Sequence, residues 1–246
     1  MSGKSRPEDQ AVSNIIKQTI LRQLDSVRQI GVATKTNLLN LFQGRSNSIS
    51  VKGRGLTKEG IRIQELEITT DQIAIDPLSI FLGKIGFNEP VNSRTHLVLT
   101  EADLIQALNS KIILEKLPHL HLEVNRKLVT VELCPPFSIR LPSDNKIRFS
   151  GGAKLQESQQ VRQVSFSVVI RARTETQPIS LETFSCLPEQ GLSLPFTIAL
   201  LQRLNAIAEQ PYFQLEGTIL KVCSLKIKDR TVLLDIETQT QEIPFL

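Results

Sequence analysis

The sequence predicts an α+β protein whose antiparallel sheet is covered on one side only. Three observations carry this. Short apolar/polar alternations follow one another along most of the chain, they are separated by turn residues, and only a few stretches show helical spacing. A sheet with one apolar face must curl onto its helices, and side chains that fill the space incompletely leave an apolar tunnel or groove.

The first element reads as a long amphipathic helix. Ser5 and Glu8 fit a capping box around Pro7, and Val12, Ile15, Ile16, Thr19, Ile20, Leu24 and Val27 recur at three- and four-residue steps up to Gly31, a residue suited to a helix C-terminus. From Val32 the period falls towards two. Ser48 to Arg54 alternates, as does Gly60 to Ile63, after which the phase slips to Leu66 and Ile68 and suggests a bulge near Gln64 and Glu65. The glycine-rich stretch Gly53 to Gly60 lacks the spacing of a nucleotide loop and reads as a hairpin turn. Thr100 opens a short helix as N-cap, with Glu101 and Asp103 in its first turn and Leu104, Ile105 and Leu108 on one face.

Further strands follow. Leu120, Leu122 and Val124 oppose His119, His121 and Glu123; Val129, Val131 and Leu133 oppose Thr130 and Glu132; Val164, Phe166, Val168 and Ile170 oppose Ser165 and Ser167. Pro195 starts a last helix with a stripe of Ile198, Leu201, Leu204 and Ile207 ending at Pro211, and alternation resumes over Ile219–Ile227 and Val232–Ile236.

Composition excludes several function classes. With 40% apolar and 22% charged residues in 246, the chain is globular, and its apolar runs are far shorter than the ~20 residues of a membrane span. The polar N-terminus has no secretory core, so a cytoplasmic, peripherally membrane-associated protein is expected. One domain is expected over 1–246, with 1–10 as a flexible lead-in. Cys134, Cys186 and Cys223 are spread apart and read as buried, reduced thiols. Charge is uneven: residues 1–60 carry net +6 and the remainder net −2, which points to an anionic surface. With no Trp and one Tyr, the chain offers little for stacking bases, so no nucleic-acid partner is expected.

Catalytic templates fail on three histidines. Gly191-Leu-Ser193-Leu-Pro195 lacks the second glycine of a nucleophile elbow, and His119, His121 and Glu123 read as solvated side chains on a wet strand face rather than a zinc site. No enzyme activity, metal or cofactor is expected, apart from a bound lipid.

The most specific wording lies between Asn37 and Ser110. It runs Asn37-Leu-Leu-Asn-Leu-Phe-Gln-Gly44, Ser48-Ile-Ser-Val-Lys-Gly-Arg-Gly-Leu56, Gly60-Ile-Arg-Ile-Gln-Glu-Leu-Glu-Ile68, Ile73-Ala-Ile-Asp-Pro-Leu-Ser-Ile-Phe-Leu-Gly-Lys-Ile85 and Leu97-Val-Leu-Thr-Glu-Ala-Asp-Leu104, with Asn109-Ser110. These strings resemble the LmeA-type phospholipid-binding family, in its cyanobacterial-like branch. The resemblance implies the tubular lipid-binding fold related to bactericidal permeability-increasing protein, a highly curved antiparallel sheet wrapped around a long helix with lipid between them. It carries no catalytic residues. The actinobacterial relatives have an export signal, which this chain does not show.

The expectation is non-enzymatic binding of a phospholipid or glycolipid in an apolar cavity, with transfer or presentation as its use. Ile15, Ile16, Ile20, Leu24, Phe166, Val168, Ile198 and Leu201 are the expected lipid contacts. Phe81, Leu82, Lys84 and Phe87, beside Pro77 and Gly83, are the expected membrane-docking residues on an anionic bilayer. The alternative is a membrane-associated protein–protein interaction module with a filled core and an exposed sheet edge.

Overall fold

The computed structural model describes residues 7–35, 45–46, 48–71, 73–74, 86–117, 119–142, 145–157, 160–172, 174, 179–186, 192–210, 212–215 and 218–242. Its elements are α1 (Pro7–Gln23), β1 (Ser26–Lys35), β2 (Arg45–Ser46), β3 (Ser48–Lys58), β4 (Ile61–Thr70), β5 (Ile73–Ala74), β6 (Gly86–Thr100), α2 (Glu101–Leu108), α3 (Lys111–Lys116), β7 (Leu120–Val124), β8 (Lys127–Arg140), β9 (Lys146–Glu157), β10 (Gln160–Arg171), β11 (Ser180–Cys186), α4 (Leu194–Glu209), β12 (Tyr212–Leu215), β13 (Thr218–Lys228) and β14 (Thr231–Glu242). The α+β class holds, and every described register is antiparallel. The strands form a seven-stranded sheet, β1-β3-β4-β6-β14-β13-β12, a five-stranded sheet, β11-β10-β9-β8-β7, and the small pair β2-β5.

The chain gathers into two compact units. The first comprises Met1–Leu99, Tyr212–Ser224 and Leu233–Leu246, and the second Thr100–Pro211 and Leu225–Val232. Each has its own core.

In the first unit α1 is shorter than its apolar spacing suggests. The helix stops at Gln23, and Leu24, Val27 and Gly31 lie beyond it, the latter two in β1. The reason is tertiary. The Asp25 N–H donates to Thr57 O at 2.9 Å, Asp25 Oδ2 accepts the Glu59 N–H at 2.5 Å, and the next residues pair with β3 from Ser26↔Thr57 to Lys35↔Ser48. A ladder this long outweighs the weak helical preference of a stretch rich in Val, Ile and Thr. Ile16 packs with Ile30, Ile49, Val51 and Val91, flanked by Ile20, Leu21 and Ile68. Ser13 fixes the helix on β1: its Oγ accepts the Thr34 N–H at 3.1 Å.

The phase slip near Gln64 also has a different cause from the expected bulge. Pairing runs Arg54↔Glu65 and then Leu56↔Ile63, so neither strand gains a residue. Gly55, between them, sits at φ +57°, which side chains disfavour, and the alternation inverts there on both strands. Leu56 thereby folds beneath Gly53, where an added Cβ would lie 2.8 Å from Leu56 Cδ1. The hairpin turn itself is only Glu59-Gly60, both at positive φ, as are Asn125-Arg126 and Asp229-Arg230 at two further described two-residue turns, the pairing that matches strand twist.

The second unit closes its sheet with α4. Ser193 caps the helix, its Oγ accepting the Phe196 N–H at 3.4 Å. The buried face consists of Phe196 and Leu200 with Ala199 and Leu204, packed on Leu122, Val129, Val131, Ala153, Leu155 and Val164. Of the expected stripe, Leu204 packs on this core and Leu201 is half-buried, whereas Ile198 is 48% exposed. The helix carries two apolar arcs, and the sheet selects the one holding the aromatic ring, which removes more apolar area from water.

The Thr100–Asp103 motif behaves as its residues imply. Thr100 Oγ1 accepts the Asp103 N–H at 3.1 Å, and Asp103 Oδ2 accepts the Thr100 N–H at 3.0 Å. Asn109 then covers the backbone of β8: its Oδ1 accepts the Phe137 N–H at 2.7 Å and its Nδ2 donates to Phe137 O at 2.9 Å. A side-chain amide thus replaces a neighbouring strand.

Candidate functional site

The expected lipid contacts divide between the units. Ile15, Ile16 and Ile20 lie on α1 and Leu24 just after it, in the first; Phe166 and Val168 lie on β10 and Ile198 and Leu201 on α4, in the second. In the first unit Ile16 is buried, Ile20 and Leu24 are half-buried, and Ile15 is 54% exposed. In the second, Val168 is buried, Phe166 and Leu201 are half-buried, and Ile198 is exposed beside Leu194, one turn earlier and 72% exposed. Both helices therefore bury one apolar arc and leave apolar side chains in solvent. Phe81, Leu82 and Lys84 lie outside the described residues, and Phe87 is described by its backbone alone, at the start of β6.

Phe166 belongs to an aromatic row built around a glycine. Its ring meets Phe149 at 5.5 Å, Phe149 meets Phe137 at 5.5 Å, and Gly151, the strand partner of Phe166, leaves room for both outer rings. A Cβ there would stand 2.5 Å from Phe137 Cδ1 and 3.6 Å from Phe166 Cζ.

The solvent face of the first unit's sheet is polar and paired. Lys52 meets Glu67 at 2.6 Å and Arg54 meets Glu65 at 3.2 Å, while Glu237 accepts from Lys221 at 3.0 Å. The Lys221 ammonium holds the Glu237 carboxyl below the ordinary range, and Glu237 in turn raises Lys221. A groove of about 280 Å³ runs over this face, lined by Gln29, Lys52, Arg54, Glu65, Glu67 and His96; Gly31 opens its floor.

This face also assembles the residue types of a hydrolase. His96 Nδ1 lies 2.7 Å from Asp235 Oδ1, and Ser224 Oγ donates to Asp235 Oδ2 at 2.5 Å. The order is unsuited to nucleophilic catalysis. The aspartate stands between serine and histidine, so the imidazole does not reach the hydroxyl it would have to deprotonate, and Ser224 is 2% exposed.

The histidines expected to be solvated lie in the open. His119 and His121 are exposed, and His121 Nδ1 lies 3.3 Å from Thr130 Oγ1. Among the described residues no cluster of His, Cys, Asp or Glu could hold a metal ion. The three cysteines are free and half-buried, and burial raises Cys186 and Cys223.

Sequence reasoning missed one buried polar centre. Glu101, 6% exposed, accepts from Arg140 Nη1 at 3.1 Å and Arg230 Nη2 at 2.5 Å through Oε1, and from the Leu141 N–H at 2.8 Å through Oε2. In the sequence it shows only as a first-turn acid, because its partners are 39, 129 and 40 residues away. Burial pushes its carboxyl up, but the Leu141 N–H and the guanidiniums of Arg230 and Arg140 together outweigh that, and the group is held below the usual range.

One-sided antiparallel sheets, each closed by a helix with spare apolar surface, define a class of α+β proteins organised around apolar faces. The chain belongs to the LmeA-like phospholipid-binding family, whose model matches residues 3–237. That is a lipid-binding family rather than an enzyme family. No curated protein matches the chain significantly. Among the described residues no helix is long and apolar enough to cross a membrane.

Proposed function

We propose that the chain binds a phospholipid or glycolipid without chemical turnover, holding the acyl chains against the apolar faces that α1 and α4 share with their sheets, and that it transfers or presents that lipid at an anionic bilayer. The family match over residues 3–237 carries this reading. It is supported by the solvent-exposed apolar side chains Ile15, Leu194 and Ile198 beside each unit's core. Each CH₂ taken from water contributes about 0.8 kcal/mol, so a modest length of acyl chain is held firmly. Exchange with a bilayer is nearly balanced, since the chain is dry in both places, and this balance is what lets lipid enter and leave.

The experiment is uptake of a fluorescent phospholipid from phosphatidylcholine vesicles by the parent chain, Ile15→Asp and Ile198→Asp. Both positions are exposed, so the substitutions leave the cores intact. Uptake by the parent and its loss in at least one variant is the expected result. A parent chain that takes up no lipid contradicts the reading, and uptake indifferent to both changes removes these helix faces from the site.

A further inference from the structure

On the solvent faces of both sheets, opposite charges face each other across neighbouring strands: Lys52 with Glu67 and Arg54 with Glu65 in the first unit, and Lys154 with Glu132 in the second. Two neighbouring rows of the second unit break this pattern: Lys146 of β9 stands opposite Arg171 of β10, both held by Glu182, and beside them lies a row of arginines. Arg140 of β8 stands directly opposite Arg148 of β9, and the row continues through Val169 of β10 to Thr183 of β11. Arg140 is joined to Glu101, which is shared with Arg230 and buried. Arg148 is exposed, and among the described residues no carboxylate pairs with it. Like charges directly opposite each other on adjacent strands destabilise a sheet, and the one carboxylate that reaches Arg140 is shared with Arg230, so among the described residues this row keeps an excess of positive charge.

The neighbouring row on the same face is all hydroxyl. Ser138, Ser150, Ser167 and Ser185 stand in register from β8 to β11. Ser150 Oγ donates to Ser167 Oγ at 3.0 Å and Ser185 Oγ to Ser167 O at 3.3 Å. On the other side of the arginines, Lys146 and Arg171 share Glu182. The result is a surface about 14 Å across, three strand spacings, on which guanidinium forks and hydroxyls face solvent with cations in excess. Guanidiniums and hydroxyls are the groups that hold phosphate oxygens, and a face spread over four strands suits an array of headgroups better than a single enclosed ligand. In the basic N-terminal quarter, by contrast, Lys52 and Arg54 are already neutralised by glutamates.

We propose that the Arg140–Arg148 row and the serine row beside it form the face by which the second unit docks on the phosphate headgroups of an anionic bilayer. This rests on the lipid-binding reading above and names the surface through which the protein meets the membrane.

The test is co-sedimentation with phosphatidylcholine vesicles containing phosphatidylglycerol, beside pure phosphatidylcholine vesicles, with uptake of fluorescent phospholipid from detergent micelles measured in parallel. Arg148→Glu lowers partition onto the anionic vesicles about 30-fold and Arg148→Gln about 5-fold, the effect of two charges and of one at about 1 kcal/mol each. Arg148→Glu also melts higher than the parent, since it now faces Arg140 with opposite charge. Micellar uptake is unchanged in both variants. Arg203→Glu, on exposed α4, leaves partition near the parent value. Undiminished vesicle binding in Arg148→Glu with uptake intact overturns the docking face alone, whereas a parent that takes up no lipid in either assay fails the underlying reading. An equal loss in Arg203→Glu reduces the effect to net charge, and Arg148-dependent binding of duplex DNA at matching affinity replaces a membrane by a nucleic acid; either overturns the proposal.

Discussion

Replacing Glu101 by glutamine tests the buried polar centre of the second unit. The carboxylate is 8% exposed, whereas the Arg140 and Arg230 side chains it holds are 65% and 69% exposed. After substitution the guanidiniums regain water, and their pairs with Glu101 contribute little, roughly 0–1 kcal/mol each. The Leu141 N–H differs, because it is buried and its bond to Glu101 Oε2 at 2.8 Å is charge-assisted. Bonds of that kind are worth about 1.5–3 kcal/mol. Glutamine retains one oxygen, which can serve either Leu141 or the arginines, and turns its NH₂ against donors at the other place. The expected loss is about 2–4 kcal/mol, read from urea unfolding at neutral pH by a probe in the second unit.

The pH dependence makes this stricter. The folded carboxyl titrates below its unfolded value of about 4.3, so its contribution is fully present above that value and disappears as pH falls through the depressed folded one. The stability gap between parent and Glu101→Gln is therefore constant from neutrality to about pH 5 and closes under stronger acid. A gap below about 0.5 kcal/mol at neutral pH, or one that persists undiminished into strong acid, refutes the reasoning.

Three further outcomes follow from the packing. Phe196→Ala costs about 3–5 kcal/mol because the ring is 5% exposed, while Ile198→Ala, at 48% exposure, stays within about 0.5 kcal/mol; thermal unfolding of the pair reads which arc of α4 is buried. Gly151→Ala forces the buried Phe137 ring aside and lowers stability by about 1–3 kcal/mol, whereas Gly31→Ala, with nothing within 4 Å of the new Cβ, raises it by about 0.5–1 kcal/mol. In NMR titrations Glu237 has its midpoint below the ordinary carboxylate range, and Lys221→Met moves it upward, since the Lys221 hydrogen bond is the main cause of the depression.

What the sequence shows depends on how far apart the partners lie. The Thr100–Asp103 cap was legible because its groups are three residues apart, and the alternating strands β7, β8 and β10 because one dry face imposes period two. The end of α1 was not, since Leu24 and Val27 continue the helical spacing by coincidence while Asp25 and Ser26 are already claimed by β3. Similarly, α4 was recognisable as a helix, but only contact with Leu122 and Val164 selects Phe196 over Ile198. The Arg140–Arg148 row and the four-strand serine row exist only through register, which no local pattern encodes. Gly55 gave a visible signal, the phase slip, whose cause was a positive φ rather than an inserted residue.

The most direct test of the central claim is native mass spectrometry of the freshly purified chain, with solvent extraction and identification of whatever lipid it carries. The account predicts a stoichiometric phospholipid or glycolipid that is lost on denaturation. A chain that flies at its bare 27.5 kDa mass, and remains so after incubation with phosphatidylglycerol vesicles, contradicts it.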